Sequence, residues 1–261
     1  MALTFKKNPA AVSEVQAAAP KQAGTLSWMK TGAAAKTAIA QNEAKAALRQ
    51  EEMNSLRRFY LKEGQEASIT FLDGALDDEG VLDLPRFHEH TIMINGKPDN
   101  FVCTAELDTT QPCPMCEGGD EPAFVAVATI INHTPYEIQS GPNEGKLLTN
   151  RKALFVGKRD TIAALTKLSK PVVGLAGQTF DVSRIGKKSP RVGSLFVPTY
   201  KWTDWDDFCA KYSLKDEDVT PANYEEEIKF RPAAELITLG IGKAVKGIGH
   251  EKATAGMKSN L

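Results

Sequence analysis

The chain has 261 residues, 42% of them hydrophobic and 25% charged, with a formal net charge of −1. That is ordinary for a soluble globular protein, and the length allows one large domain with appendages. No run of about eighteen apolar residues occurs, which excludes a membrane helix, and Lys6 and Lys7 are not followed by the apolar stretch of a secretory signal.

Residues 1–32 are rich in Ala, Lys, Pro and Gly without a sustained period and are predicted to be mobile. Strong helix formers follow from 33 to 58. Their apolar members are mostly alanine, so this helical arm buries little by itself and is either weakly docked or ordered by a partner. Strand patterning begins at Ala67 to Leu72, with Asp73-Gly74 as a turn. Further strand-like runs are Arg86 to Ile94, Asn100 to Thr104, Phe124 to Asn132, Leu147 to Val156, Thr179 to Ile185 and Leu195 to Tyr200. Asn95-Gly96 is a hairpin turn signal. Asp160 is placed to cap a helix over Thr161 to Ser169. Short, closely spaced strands with one helix argue for a mainly β fold, a small closed barrel. Beyond Tyr200 the texture turns helical, over Thr203 to Tyr212, Thr220-Pro221 to Ile228 and Pro232 to Leu239. From Gly240 onward no structure is predicted.

The near-zero net charge hides strong segregation. Residues 59–145 carry three basic against sixteen acidic side chains, residues 146–202 twelve against two, and residues 203–229 three against nine. A stretch of +10 inside a neutral protein suggests one face built for a polyanion.

The most specific signal is metallic: His90, Cys103, Cys113 and Cys116, spaced His-x12-Cys-x9-Cys-x2-Cys. Three thiolates and one imidazole suit a closed tetrahedral zinc site of the structural kind, with no position left for substrate. Pro112-Cys113-Pro114-Met115-Cys116-Glu117-Gly118-Gly119 reads as a metal knuckle, its glycines letting backbone N–H groups turn back toward sulfur. His88 is the rival nitrogen ligand, since residues 88 and 90 share one face of a strand. Cys209 stands apart and suits a buried small side chain. Enzymatic alternatives fit worse. A zinc deaminase needs His-x-Glu before its Pro-Cys-x-x-Cys, whereas this chain has His88-Glu89-His90 and would leave Cys103 without a role. A redox Cys-x-x-Cys needs a βαβ setting that is missing here. No catalytic residue is predicted.

These residues resemble the single-stranded DNA-binding, helix-destabilising proteins of T-even-like and other tailed bacteriophages. The matching segments run in order from Gly64 to Leu72, through the histidine and three cysteines, Phe124 to Ile131, Gly141 to Lys146 and Gly157-Lys158-Arg159, to Gly177 to Val182. The resemblance implies an OB-fold-type barrel over residues 59–202, with a zinc subdomain around 86–120. Residues 1–58 are then an arm, and residues 203–261 an acidic helical region with a flexible tail. It implies sequence-tolerant coating of single-stranded DNA in phage replication, recombination and repair, in the cytoplasm of the infected bacterial host. It also implies one structural Zn2+. The N-terminal Phe5-Lys6-Lys7 is similar to a basic start used for self-association, and replication or transcription proteins are further candidate partners. An alternative of another class is a phage zinc-containing accessory factor that docks on a polymerase.

Single-strand binding needs cations for phosphates and aromatic faces for bases. The candidate cations are Lys146, Arg151, Lys152, Lys158, Arg159, Lys187, Lys188 and Arg191. The candidate stacking residues are Tyr136, Tyr200 and Trp202, while Phe155, between Leu154 and Val156, better suits a core.

Overall fold

The structure is a computed structural model that describes residues 29–94, 97–107, 111–139, 141 and 143–241. The Phe5-Lys6-Lys7 motif, the Asn95-Gly96 turn, Pro142 and the tail beyond Ile241 lie outside the described residues. Contacts divide the chain into two units, Met1–Ile39 and Ala40–Leu261. The described part of the first is the approach to, and the opening turns of, helix α1 (Gly32–Asn54), whose run of alanines favours helix without supplying a core face. Within the second unit, Ala44 packs against a small apolar cluster.

Seven strands form one antiparallel sheet: β1 (Glu66–Phe71), β2 (Arg86–Ile94), β3 (Lys97–Val102), β4 (Ala123–Asn132), β7 (Arg151–Lys158), β8 (Gln178–Ser183) and β9 (Leu195–Lys201). A separate hairpin joins β5 (Tyr136–Glu137) to β6 (Leu147–Leu148). The order in the sheet is β3-β2-β4-β1-β8-β9, with β7 on the other edge of β4. The central strand, β4, pairs with β2 through Ala123 to Ala126, with β1 through Ile130 to Asn132, and with β7 along nearly its whole length. Every residue from Val125 to Ile131 is buried. This explains the nearly continuous apolar run there, broken only by Thr129, because a strand covered on both faces has no reason to alternate.

Between β1, β4, β7, β8 and β9 lies the main core. The Phe71 ring meets Phe155 at 5.1 Å and Phe180 at 5.8 Å, both edge-on, and Phe196 approaches Phe155 and Phe180 at 6.1 and 6.2 Å. Each fully buried phenylalanine contributes about 1.5–3 kcal/mol. Phe155 is therefore a core residue, 0% exposed. Helix α3 (Arg159–Ser169) adds Ile162 and Leu165 to the same core.

Among the described residues four short helices follow β9: α4 (Trp205–Tyr212), α5 (Asp216–Val219), α6 (Tyr224–Glu227) and α7 (Ala233–Thr238). Side chains of α4 and α6 lie against the other face of β4, whereas α7 sends Leu236 into the small apolar cluster with Ile92, Phe101 and Met115. Phe208 is buried with Ile131 and Leu72, and Tyr212 stacks on His133 at 4.1 Å. The Tyr224 hydroxyl donates to the Asp73 carboxylate and meets Thr129 Oγ1 at 2.7 Å. Among the described residues no helix is long and apolar enough to cross a membrane.

Several predicted boundaries move, each for a local reason. The single strand expected over Leu147 to Val156 is split at Asn150, whose φ of 50° breaks the extended chain. Its amide there donates to the Tyr212 carbonyl. Helix α3 starts at Arg159 with Lys158 as N-cap, so Asp160 lies inside its first turn instead of capping it. The helix expected over Thr220-Pro221 to Ile228 is reduced to α6, while α5 ends before it at Val219. Ala222 there donates its N–H to Thr129 Oγ1, and Asn223 caps α6. The strand expected over Asn100 to Thr104 ends at Val102, where Thr104 opens a 3-10 turn.

Candidate metal centre and nucleic-acid interface

The ligand cluster is assembled from a strand and two loops inserted between β1 and β4. His90 lies in β2, opposite Phe101 of β3. Cys103 follows β3 directly, where its N–H donates to the His88 carbonyl. Cys113 is the N-cap of helix α2 (Pro114–Glu117), so that single turn carries Cys116 back toward Cys113. Pro114 occupies the first helical position, where its missing N–H costs nothing.

The four ligand atoms lie within 4.8 Å of one another. His90 Nε2 is 3.6 Å from Cys113 Sγ and 3.4 Å from Cys116 Sγ, and Cys103 Sγ is 3.7 Å from Cys116 Sγ. A tetrahedral ion with bonds of about 2.3 Å to sulfur and 2.05 Å to nitrogen would separate its sulfurs by about 3.8 Å, and sulfur from nitrogen by about 3.55 Å. The donor set therefore fits one metal ion and is compatible with zinc. His90 is held in position by Asp120, whose Oδ2 lies 2.7 Å from Nδ1, leaving Nε2 toward the thiols. Asp120 was not legible from the ligand spacing; only the fold brings it behind the ring.

Charge in the cluster is unevenly shared. Burial would push the Cys113 thiol up, but hydrogen bonds with the His90 ring and with the backbone N–H groups of Cys116 and Thr104 hold it down at about 5. Burial and the neighbouring thiols push Cys116 up to about 12, and burial likewise raises Cys103. Burial works against charge on His90, yet Cys113 and Asp120 raise it. Three sulfurs this close can all be thiolates only beside a multivalent cation, which is the electrostatic form of the same fit. His88 is turned to a different neighbour: its ring lies 4.9 Å from that of Phe124.

The sequence-predicted cations fall into four groups. Arg151, at the start of β7, lies over the Tyr136 ring at 4.6 Å, and Lys146 is exposed in the turn leading into β6. Lys152 donates to the Glu217 carbonyl at 2.8 Å, under the acidic helices. Lys158 and Arg159 are exposed where β7 passes into α3. Lys187, Lys188 and Arg191 are exposed in the loop between β8 and β9. That loop is wrapped on Arg184, whose guanidinium donates to the carbonyls of Lys187, Ser189 and Leu61. Tyr200 is 55% exposed on β9. Trp202 is half-buried, with its Nε1 donating to Thr179 Oγ1 and its ring against Phe208 and Tyr212. A cleft lined by Arg57, Arg58, Phe101, Leu154, Lys229 and Arg231 adds cations that the sequence pattern did not single out. In this cleft Arg58 pairs with Glu89 and Arg231 with Glu235.

Comparison with known protein families finds no match, and comparison with curated proteins finds none either.

Proposed function

We propose that this chain is a sequence-tolerant single-stranded DNA-binding protein, built as an OB-type barrel with one structural zinc and without catalytic activity. The observation that carries the proposal is where the cations lie on the strand connectivity. Taking β1, β4, β7, β8 and β9 as barrel strands one to five, α3 joins the third to the fourth, and the first pairs with both the second and the fourth. The edge of β7 continues toward the fifth strand through hydrogen bonds from Phe59 N–H to Leu154 O and from Leu61 N–H to Arg191 O. In OB folds, nucleic acid lies on strands two and three and between the one–two and four–five loops. Here strand three carries Arg151, Lys152 and Lys158. The four–five loop carries Lys187, Lys188 and Arg191, and the one–two connection carries the metal cluster.

In this reading the ion is a clamp. It ties the β2–β3 hairpin to the knuckle, so that the long one–two connection presents one fixed surface to the strand. The cations neutralise phosphates, releasing counterions, and exposed rings receive bases without reading their edges. Coating of single strands in phage replication, recombination and repair, in the cytoplasm of an infected bacterium, follows from the same proposal.

The test is a charge reversal in the four–five loop. Lys187→Glu with Lys188→Glu is expected to weaken binding to oligonucleotides of every base composition by a similar factor, with the melting temperature unchanged. Loss confined to one base sequence would point to specific readout. An unchanged affinity would remove this loop from the interface.

A further inference from the structure

The outer strand of the metal-bearing insertion, β3, pairs with β2 alone. The register shows which of its main-chain groups that pairing consumes. Val127 N–H donates to the Pro85 carbonyl, so residues 85, 87 and 89 direct their main chain to β4. Residues 88, 90 and 92 then face β3, in keeping with the hydrogen bond from Cys103 N–H to the His88 carbonyl. On β3 the bonded residues are therefore Phe101 and Asp99, opposite His90 and Ile92, and the alternate residues point outward. Asn100 and Val102 each present an N–H and a C=O on this free edge, and Pro98 a C=O, repeating at about 6.8 Å. Neither N–H has another partner among the described residues.

This edge opens into a cleft. Pro98, Asn100 and Val102 line it together with residues 55–58 and with Ile228 and Lys229. Residues 55–58 are fixed in place by hydrogen bonds from Leu154 N–H to the Arg57 carbonyl and from Leu56 N–H to the Glu227 carboxylate. Arg57 and Lys229 are exposed, and Arg57 forms no ion pair among the described residues. The lining carries Arg57, Arg58, Lys229 and Arg231 against Asp99 and Glu227, with apolar surface from Leu56 and Leu154. Cations alone would suit phosphates as well as carboxylates. The main chain decides between them, because outward carbonyls call for N–H donors. A phosphodiester backbone has none, whereas an extended peptide supplies them at the spacing of the strand.

We infer that the cleft beside β3 is a docking groove for an extended, acidic segment of a partner protein. The segment adds to the sheet as a further strand on Asn100 and Val102, and Arg57 and Lys229 receive its carboxylates. Pro98, which has no N–H to offer, limits the pairing at one end. The inference is independent of the single-strand reading above and concerns a different ligand.

The test uses the full-length, metal-loaded protein and a fluorescent peptide of about eight residues, an ordinary strand length, in which glutamate and valine alternate. One control peptide has lysine for glutamate. Two others are N-methylated, one at every valine and the other at every glutamate, so that each loses the N–H groups of one edge. The acidic peptide is expected to bind and the lysine peptide not. One methylated peptide should bind about 5- to 100-fold more weakly and the other near the parent, because only one edge meets β3. Asn100→Pro, which removes an outward N–H just as Pro98 does, should weaken the acidic peptide by a similar factor. Asn100→Ala, which loses the same side chain but keeps the N–H, should stay near wild type. Arg57→Glu should narrow the preference for the acidic over the lysine peptide. Should Asn100→Pro lose its metal, the two methylated peptides decide. Absence of binding at about 1 mM acidic peptide overturns the inference. Equal affinity of the two methylated peptides, or equal losses in the proline and alanine variants, also overturns it. Displacement of the peptide by oligo(dT) would give the groove to nucleic acid, and a dimer of the free protein that the peptide disperses would give it to a second copy; either result contradicts the inference.

Discussion

The sheet core and the insertion between β1 and β4 are held together by different means. In the core, Phe71, Phe155, Phe180 and Phe196 interlock within a large buried apolar cluster, and removing any one ring leaves three others in contact. In the insertion, the apolar cluster is small and includes two of the cysteines themselves, with Ile92, Phe101 and Met115, and it borrows Leu236 and Leu239 from the α7 region. A core of four phenylalanines folds by burial. A segment whose small core is built around metal ligands depends on what the ligands hold. The two regions also differ in charge, since the cations of residues 146–202 lie on the sheet side and the insertion belongs to the acidic stretch.

The largest effect that can test this contrast is removal of the ion. Chelation, or Cys113→Ser, is expected to abolish hydrogen-exchange protection in β2 and β3 while β4, β7 and β1 keep theirs. Structural zinc in small modules supplies about 10–16 kcal/mol, and a loss of several kcal/mol confined to the insertion fits its place in a larger domain. Uniform loss of protection would mean that the two regions are one cooperative unit. A smaller change is Asp120→Asn, which removes the carboxylate behind His90 without touching a ligand. Metal affinity is expected to fall about 10–100-fold with the core unaffected, as read by competition with a chelator of known affinity.

The smallest expected effect is a pH dependence on the helical side of the sheet. Burial lowers the His133 pKa below its usual 6.5, with Lys211 acting in the same direction and the hydrogen bond to Asn150 opposing. The unfolded chain therefore binds a proton here at pH values where the folded chain does not. His133 costs no stability above about pH 6.5, and stability falls as the pH drops below that value toward its folded pKa. The denaturation midpoint should decline between pH 7 and 5.5, less steeply in His133→Gln. An equal decline in both would place the titration elsewhere.

How much was legible in the sequence follows the same division. The bounds of β2 and, within a residue, of β4 could be read because β-rich runs bounded by turn residues leave few alternatives. The ligand set was legible from cysteine spacing, but His88 and His90 share a strand face, and only the fold, which brings the thiols and Asp120 to His90 and Phe124 to His88, distinguishes them. Pro221 looked like a helix start because the sequence does not reveal that Thr129 and Asp73 capture Ala222 and Tyr224. Trp202, flanked by polar residues, reads as a candidate stacking residue, yet it is half-buried. Phe208 and Tyr212, one turn apart on α4, enclose it from the side. Side chains whose partners are distant in sequence are the ones that pattern alone cannot place.

The most direct test of the account is equilibrium binding of the metal-loaded full chain to oligo(dT) over a range of salt concentrations, with duplex DNA as the reference. With about five phosphates neutralised at about 0.7 counterions each, log affinity should fall against log salt with a slope near −3.5, and oligo(dT) should bind more tightly than duplex throughout. An affinity indifferent to salt, or equal for paired and unpaired strands, would contradict it.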